Sequence, residues 1–239
     1  MPPSVASPVA FDRVRLAFEG RVVLRDIDLS VRAGAWTFVY GPPGAGKTSL
    51  LKLAAGILEP SAGTVARDGA ARLVLQDDGL DETVAARVLV AAAMPAPDDA
   101  AACALLVDLG LDAYLDHTPF QLSRGHRKRL ALACALAAEP ALVALDDPFG
   151  PLDRRARRLT AGVLRRAADA RGQAILMTSN DPADGVALAD RIVVLTAGPA
   201  ARIAAVHPNA PAQSASPDDI AATPLYAALE RAMWDGPAS

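Results

Sequence analysis

The sequence predicts an α/β fold with a mainly parallel core sheet, an N-terminal antiparallel β subdomain and a helical subdomain. Three observations carry this. Continuous apolar runs at Trp36-Thr37-Phe38-Val39-Tyr40, Ala141-Leu142-Val143-Ala144-Leu145, Ala174-Ile175-Leu176-Met177-Thr178 and Arg191-Ile192-Val193-Val194-Leu195 have the length and β-branched content of strands covered on both faces. Between them lie longer helical stretches, as parallel crossovers require. The first run leads into Gly41-Pro42-Pro43-Gly44-Ala45-Gly46-Lys47-Thr48, a full match to the phosphate-loop pattern G-x-x-x-x-G-K-[ST] between a strand and a helix.

In chain order, residues 1–10 are Pro/Ser-rich and are expected to be disordered. Phe11–Phe18 and Val22–Val31 follow with period-two alternation around the turn at Glu19-Gly20, which predicts half-buried antiparallel strands. After the phosphate loop, a helix is expected to run to about Gly56, and short strands at Thr64–Ala66 and Arg72–Leu75. From Glu82 to Ala138 the composition is Ala/Leu-rich and helical, broken at Pro95-Ala96-Pro97, with Asp98 and Asp99 as caps; the helical subdomain is placed at about 80–138. Asp153 opens a long helix to about Arg171, with Leu159, Val163 and Ala167 expected on its buried face. Its arginines, Arg154, Arg155, Arg157, Arg158, Arg165 and Arg166, read as a solvated face; nucleic-acid contact is the alternative. His207–Pro217 has linker composition and Pro224–Trp234 that of a short amphipathic helix, which divides the chain into 1–10, a domain at 11–207, and 208–239.

Composition narrows the function. The 239 residues suffice for one large domain, and a formal net charge of −3 argues against bulk nucleic-acid binding. Cys103 and Cys134 fall inside apolar helical patterns and read as core thiols of a reducing compartment. His117, His126 and His207 show no metal-ligand spacing. No apolar segment approaches the roughly 20 residues that span a bilayer. The first residues have neither the basic start nor the apolar core of a secretory signal, so a cytoplasmic location is expected.

The chemistry centres on Gly41, Pro42, Pro43, Gly44, Ala45, Gly46, Lys47, Thr48 and Ser49 as the nucleotide-binding segment. Glycines let backbone N–H groups turn inward around phosphate oxygens, and the helix N-terminus adds partial positive charge. Lys47 supplies a cation for the terminal phosphates, and the Thr48 hydroxyl is a ligand for Mg²⁺.

Further features follow in a fixed order: Phe18 before the loop; Gln76 after a short strand; Leu122-Ser123-Arg124-Gly125-His126 ahead of a basic helix start; Asp146-Asp147 at a strand end; Gly150-Pro151-Leu152-Asp153; and Asn180. Together they resemble the ATP-binding subunit of ABC transporters, a P-loop NTPase fold, over about Phe11 to Val206. The resemblance implies ATP and Mg²⁺ as ligands, with Phe18 stacking on adenine, and Thr48, Gln76 and Asp146 serving the metal. It implies that Asp147 and Asn180, with Gln76, occupy the hydrolytic positions. It also implies that Ser123, Arg124, Gly125 and His126 form the signature that closes, in trans, on nucleotide held by a second subunit. A plain N-cap is the other role open to Ser123. The implied partners are a second ATP-binding subunit, identical or not, and a membrane permease that keeps the chain on the cytoplasmic face of the inner membrane; no nucleic acid is implied.

Five positions depart from the family pattern. Asp147 replaces a glutamate, Asn180 a histidine, Arg124 and His126 two signature positions, and Cys134 an arginine. Aspartate is one methylene shorter, which withdraws the carboxylate by about 1.5 Å, and Asn180 carries no charge. The groups that bind nucleotide are complete while those that hydrolyse it are weakened. Two functions therefore stay open: an ATP-hydrolysing transporter subunit, or a nucleotide-gated module with little turnover. A soluble DNA-repair or translation ATPase is disfavoured by the single cassette. Residues 147–153 and 189–195 look most like importers of nitrate, sulfonate and taurine-type anions.

Overall fold

The computed structural model describes residues 7–75, 79–211 and 217–234. Two sheets share the chain. β1 (Val9–Phe18) pairs antiparallel with β2 (Arg21–Val31) and β4 (Ala62–Arg67), in the order β2-β1-β4. The expectation of disorder through residue 10 fails at its end. Val9 is buried and lies opposite both Val31 and Arg67, so backbone pairing on two sides holds a segment whose composition looks loop-like.

The second sheet has the order β5-β6-β7-β3-β8-β9. Its strands are β5 (Ala71–Val74), β6 (Leu142–Asp146), β7 (Ala174–Thr178), β3 (Trp36–Tyr40), β8 (Arg191–Leu195) and β9 (Ile203–Pro208). All pairings are parallel except β8 with β9. The apolar runs conceal a period of two. Trp36, Phe38, Tyr40, Val143, Leu145, Ile175 and Met177 enter one core cluster with α4 (Arg124–Ala137), α5 (Arg154–Arg171) and α6 (Pro182–Leu188). Val39, Leu142, Ala144, Ala174 and Leu176 enter a second with α1 (Lys47–Ala54) and the antiparallel sheet. Both faces are covered, so no polar alternation is needed.

The helical stretch resolves into α2 (Ala86–Ala93), α3 (Asp99–Asp108), two short 3₁₀ turns and α4. Asp98 caps α3 by accepting from the Ala101 N–H, while Asp99 lies in its first turn. Asp153 caps α5 through the Arg155 and Ala156 N–H groups. The buried face of α5 agrees with the expected one at Val163, and Ala167 packs against the core, but Leu159 is 37% exposed while Ala156, Thr160, Leu164 and Ala168 are buried. Its arginines are not all solvated either. Arg165 is held by Asp169, both Asp190 oxygens and the Gly34 carbonyl, and Arg157 by Asp184 and Asp181. His207 belongs to β9, opposite Ile192, and not to a linker. Beyond it come α7 (Pro217–Ala221) and α8 (Pro224–Trp234). Cys103 and Cys134 are half-buried free thiols, and burial pushes the Cys134 thiol up to about 12.

Candidate nucleotide site

Parallel register brings the candidate residues together. β6, β7 and β3 are neighbours, with Asp146 opposite Thr178 and Thr178 opposite Val39. The residues that follow these three strands are therefore Asp147, Ser179-Asn180 and the phosphate loop, all at one edge of the sheet. Open α/β sheets bind ligands at that carboxyl edge.

The loop from Gly41 to Gly46 connects β3 to α1 and is pressed onto β2. Gly46 has φ +83°, and a β-carbon there would stand 2.8 Å from Leu24 Cδ2 and 2.9 Å from Val23 Cγ1. Only glycine meets both demands. The Ala45 N–H donates to the Pro42 carbonyl at 3.1 Å, closing the turn. No side chain caps α1, so its first N–H groups are left for an anion. Lys47 Nζ donates to the Gly41 carbonyl at 2.6 Å and the Pro42 carbonyl at 3.2 Å. Burial lowers the Lys47 pKa from its ordinary value, against the opposing pull of Asp146 and Asp147. An incoming polyphosphate would offset that burial cost.

Asp146 accepts two hydroxyl hydrogen bonds, from Thr48 Oγ1 and Thr178 Oγ1, each at 2.7 Å. Among the described residues, no group of three or more His, Cys, Asp or Glu is placed to hold a metal. A hard divalent ion here would rest on Thr48, Asp146, water and phosphate oxygens, the sparse oxygen set that Mg²⁺ prefers. Asp147 follows with φ +46°, its N–H donating to the Thr178 carbonyl at 3.0 Å. Its carboxylate lies under Gly150, where a β-carbon would come within 2.8 Å of Oδ2. Ser179 Oγ is 3.4 Å from Asp147 Oδ1 but gives its shorter bond, 2.7 Å, to buried Asp184. Asp184 in turn pairs with Arg157, whose guanidinium sits 5.7 Å above the Phe149 ring. Thr178, Ser179 and Asp184 were not site candidates from the sequence, and Arg157 was read there as part of a solvated face. The only trace was the hydroxyl pair Thr178-Ser179 at the end of a buried strand.

The remaining candidates are spread around this centre. Asn180 is exposed at the end of β7. Phe18 is 46% exposed at the end of β1, in the same strand pair whose Val23 and Leu24 flank Gly46. Gln76 lies outside the described residues. Ser123 caps α4, accepting from the His126 N–H at 3.3 Å, and its hydroxyl lies 2.9 Å from His126 Nδ1. Burial, then Arg129, lowers the His126 pKa, with Asp153 opposing. Arg124 is exposed, and Gly125 lies against the following loop, where a β-carbon would stand 3.0 Å from the Pro151 carbonyl. No described hydrogen bond joins Ser123, Arg124, Gly125 or His126 to the phosphate loop. They form a separate polar surface.

This arrangement has clear relatives. The ABC transporter family matches residues 24–150. The chain belongs to that family. Its sequence is 36% identical over 212 residues to the aliphatic sulfonates import ATP-binding protein SsuB 1 of Nocardia farcinica, covering 88% of this chain and 86% of that protein. It is 38% identical over 213 residues to the Fe(3+) ions import ATP-binding protein FbpC 2 of Rhodococcus jostii, covering 80% of this chain but 60% of that longer protein. In fold it matches a dimeric ATP-binding cassette in a post-hydrolysis state bound to ADP and Pi, with a TM-score of 0.75, 20% identity, and coverage of 84% of this chain and 98% of that one. It also matches an ATP-binding subunit of an ABC transporter, with a TM-score of 0.75, 22% identity, and coverage of 94% and 100%. The two-sheet α/β architecture is thus that of the ABC ATP-binding cassette. No helix among the described residues is long and apolar enough to cross a membrane.

Proposed function

We propose that this ABC protein is the ATP-binding, ATP-hydrolysing subunit of an importer, working as a dimer of cassettes on a membrane permease. The observation that carries the reading is the 2.7 Å contact from Thr48 to Asp146 beside the Lys47 ammonium. A hydroxyl, a carboxylate and a cation converge where a metal-bound triphosphate would end. Residues 41–49 would cradle the phosphates, Phe18 would stack on the base, and Thr48, Asp146 and Gln76 would hold Mg²⁺. The ion, when bound, neutralises charge on the phosphoryl oxygens. Asp147 would polarise the attacking water and Asn180 would donate to the γ-phosphate. The surface from Ser123 to His126 would close on nucleotide in the partner cassette. The relatives' names support import, and anionic sulfonates fit the resemblance of residues 147–153 and 189–195. The ATP-binding domain would span the expected 11–207, extended to Val9 and Pro208 by β1 and β9, with the permease docking beside Gln76.

A second reading, a nucleotide-gated module with little turnover, is favoured by the short carboxylate of Asp147 and the uncharged Asn180. Two measurements decide. Lys47→Ala should abolish high-affinity ATP binding by calorimetry, because the loop loses its side-chain cation; unchanged affinity would refute the site. Steady-state phosphate release by the dimer, with and without its permease, then separates the two readings.

A further inference from the structure

Lys128 is a buried cation that the nucleotide chemistry above does not use. It lies in the second turn of α4, five residues after Ser123, and is 3% exposed. Its ammonium donates to the Leu75 carbonyl at 2.6 Å and to the Asp146 carbonyl at 3.4 Å. The first carbonyl directly follows β5 and the second ends β6. These strands pair in parallel with Val74 opposite Leu145, so the two carbonyls are neighbours at the carboxyl edge of the sheet. Burying an ammonium costs more than burying a methionine of similar length, so the charge serves something other than packing.

One of the groups it contacts is the peptide between Asp146 and Asp147. That peptide is gripped at both ends: Lys128 approaches its carbonyl, and its N–H donates to the Thr178 carbonyl at 3.0 Å. Asp147 has φ +46°, a left-handed conformation uncommon among non-glycine residues. Release of either grip would let the peptide rotate and turn the Asp147 carboxylate away from its place under Gly150. Lys128 also projects from the helix that begins at Ser123. Through it, the helix that carries the polar surface is hydrogen-bonded to the ends of β5 and β6.

We propose that Lys128 is a positioning residue for hydrolysis: by holding the Leu75 and Asp146 carbonyls it fixes the Asp146–Asp147 peptide and aims the Asp147 carboxylate. This rests on the reading of Asp147 as the group that polarises water. Two substitutions test it. Lys128→Met keeps the stem and removes the donors; Lys128→Gln keeps an N–H₂ donor without the charge. The readouts are kcat, ATP affinity by calorimetry, and hydrogen exchange of the backbone over residues 142–149. Lys128→Met should lower kcat by about tenfold, since a displacement near 1 Å can cost up to about a hundredfold. It should leave ATP affinity within about twofold and speed exchange over 142–149, and Lys128→Gln should recover most of both losses. Wild-type kcat and exchange in Lys128→Met would overturn the proposal. So would parallel loss of stability, ATP affinity and kcat in both variants, which is the signature of a packing role alone. If the wild-type protein fails to bind ATP, the nucleotide reading falls, while the exchange measurement still tests the grip of Lys128 on the peptide.

Discussion

Replacing Asp147 by glutamate tests whether hydrolysis is limited by a retracted carboxylate. The added methylene carries the carboxylate about 1.5 Å further from the β6 backbone. If the present position is short by that distance, the gain in rate is about tenfold to a hundredfold, or roughly 1.4–2.8 kcal/mol of barrier. ATP affinity should stay nearly constant, because on the proposed reading the group would act on water and not on bound nucleotide. The structure adds a cost. At φ +46° aspartate is better tolerated than glutamate, and the longer side chain must pass beneath Gly150. A loss of about 1 kcal/mol of stability is expected, or about 2–4 °C in Tm for a chain of this size. The assay is steady-state phosphate release at saturating MgATP, paired with calorimetric ATP affinity. Gly150→Ala supplies a control: its β-carbon would come within 2.8 Å of Asp147 Oδ2, so it should displace the carboxylate and slow hydrolysis. Adding Asn180→His to Asp147→Glu should raise the rate further but non-additively, since on the proposed reading both groups would serve one γ-phosphate. A wild-type rate ordinary for such ATPases, together with a lower rate in Asp147→Glu, would refute the reasoning. The site would then be built around aspartate as its working base.

Other consequences can be measured directly. Phe18→Ala should weaken ATP by about 1–3 kcal/mol while leaving a triphosphate without a base unaffected; at 46% exposure the ring contributes little to the core, so Tm should hardly change. Thr160 is 0% exposed and its hydroxyl has no hydrogen-bond partner among the described residues, so Thr160→Val should stabilise the protein by about 1 kcal/mol in denaturant unfolding. Burial, followed by Tyr226, Glu230 and Asp181, pushes the Tyr40 phenol from 10.0 up to about 12. The folded state therefore keeps a proton that the unfolded state loses first, so this contribution is complete below pH 10 and is lost as pH rises through about 12. Tyr40→Phe should flatten that alkaline loss of stability.

Much of the site was legible without a structure because its residues are contiguous. A phosphate loop needs glycines, a lysine and a hydroxyl within eight positions, and each is a local demand on backbone or chemistry. The same holds for Asp153 as an N-cap and for the continuous apolar strands, where burial on both faces suppresses alternation. β9 was not legible: Ile203-Ala204-Ala205-Val206-His207-Pro208 has little β-propensity, and β8 alone supplies the pairing that makes it a strand. The buried face of α5 was only partly legible, Val163 being buried and Leu159 not, because an arginine-rich helix with scattered apolar residues allows more than one inward stripe. Contact with the sheet chose the stripe containing Thr160 and Leu164 over Leu159.

By itself the sequence determined the family, the phosphate loop and most strands, because these depend on near neighbours in the chain. Only the tertiary structure decided that Thr178 completes the grip on Asp146 from 32 positions away, a consequence of β6–β7 register. Only it decided that Ser179 gives its shorter bond to Asp184, or that Lys128 turns inward to two strand ends. Those partners are set by strand order and helix rotation, which depend on how the two cores fill, and no local residue pattern encodes them.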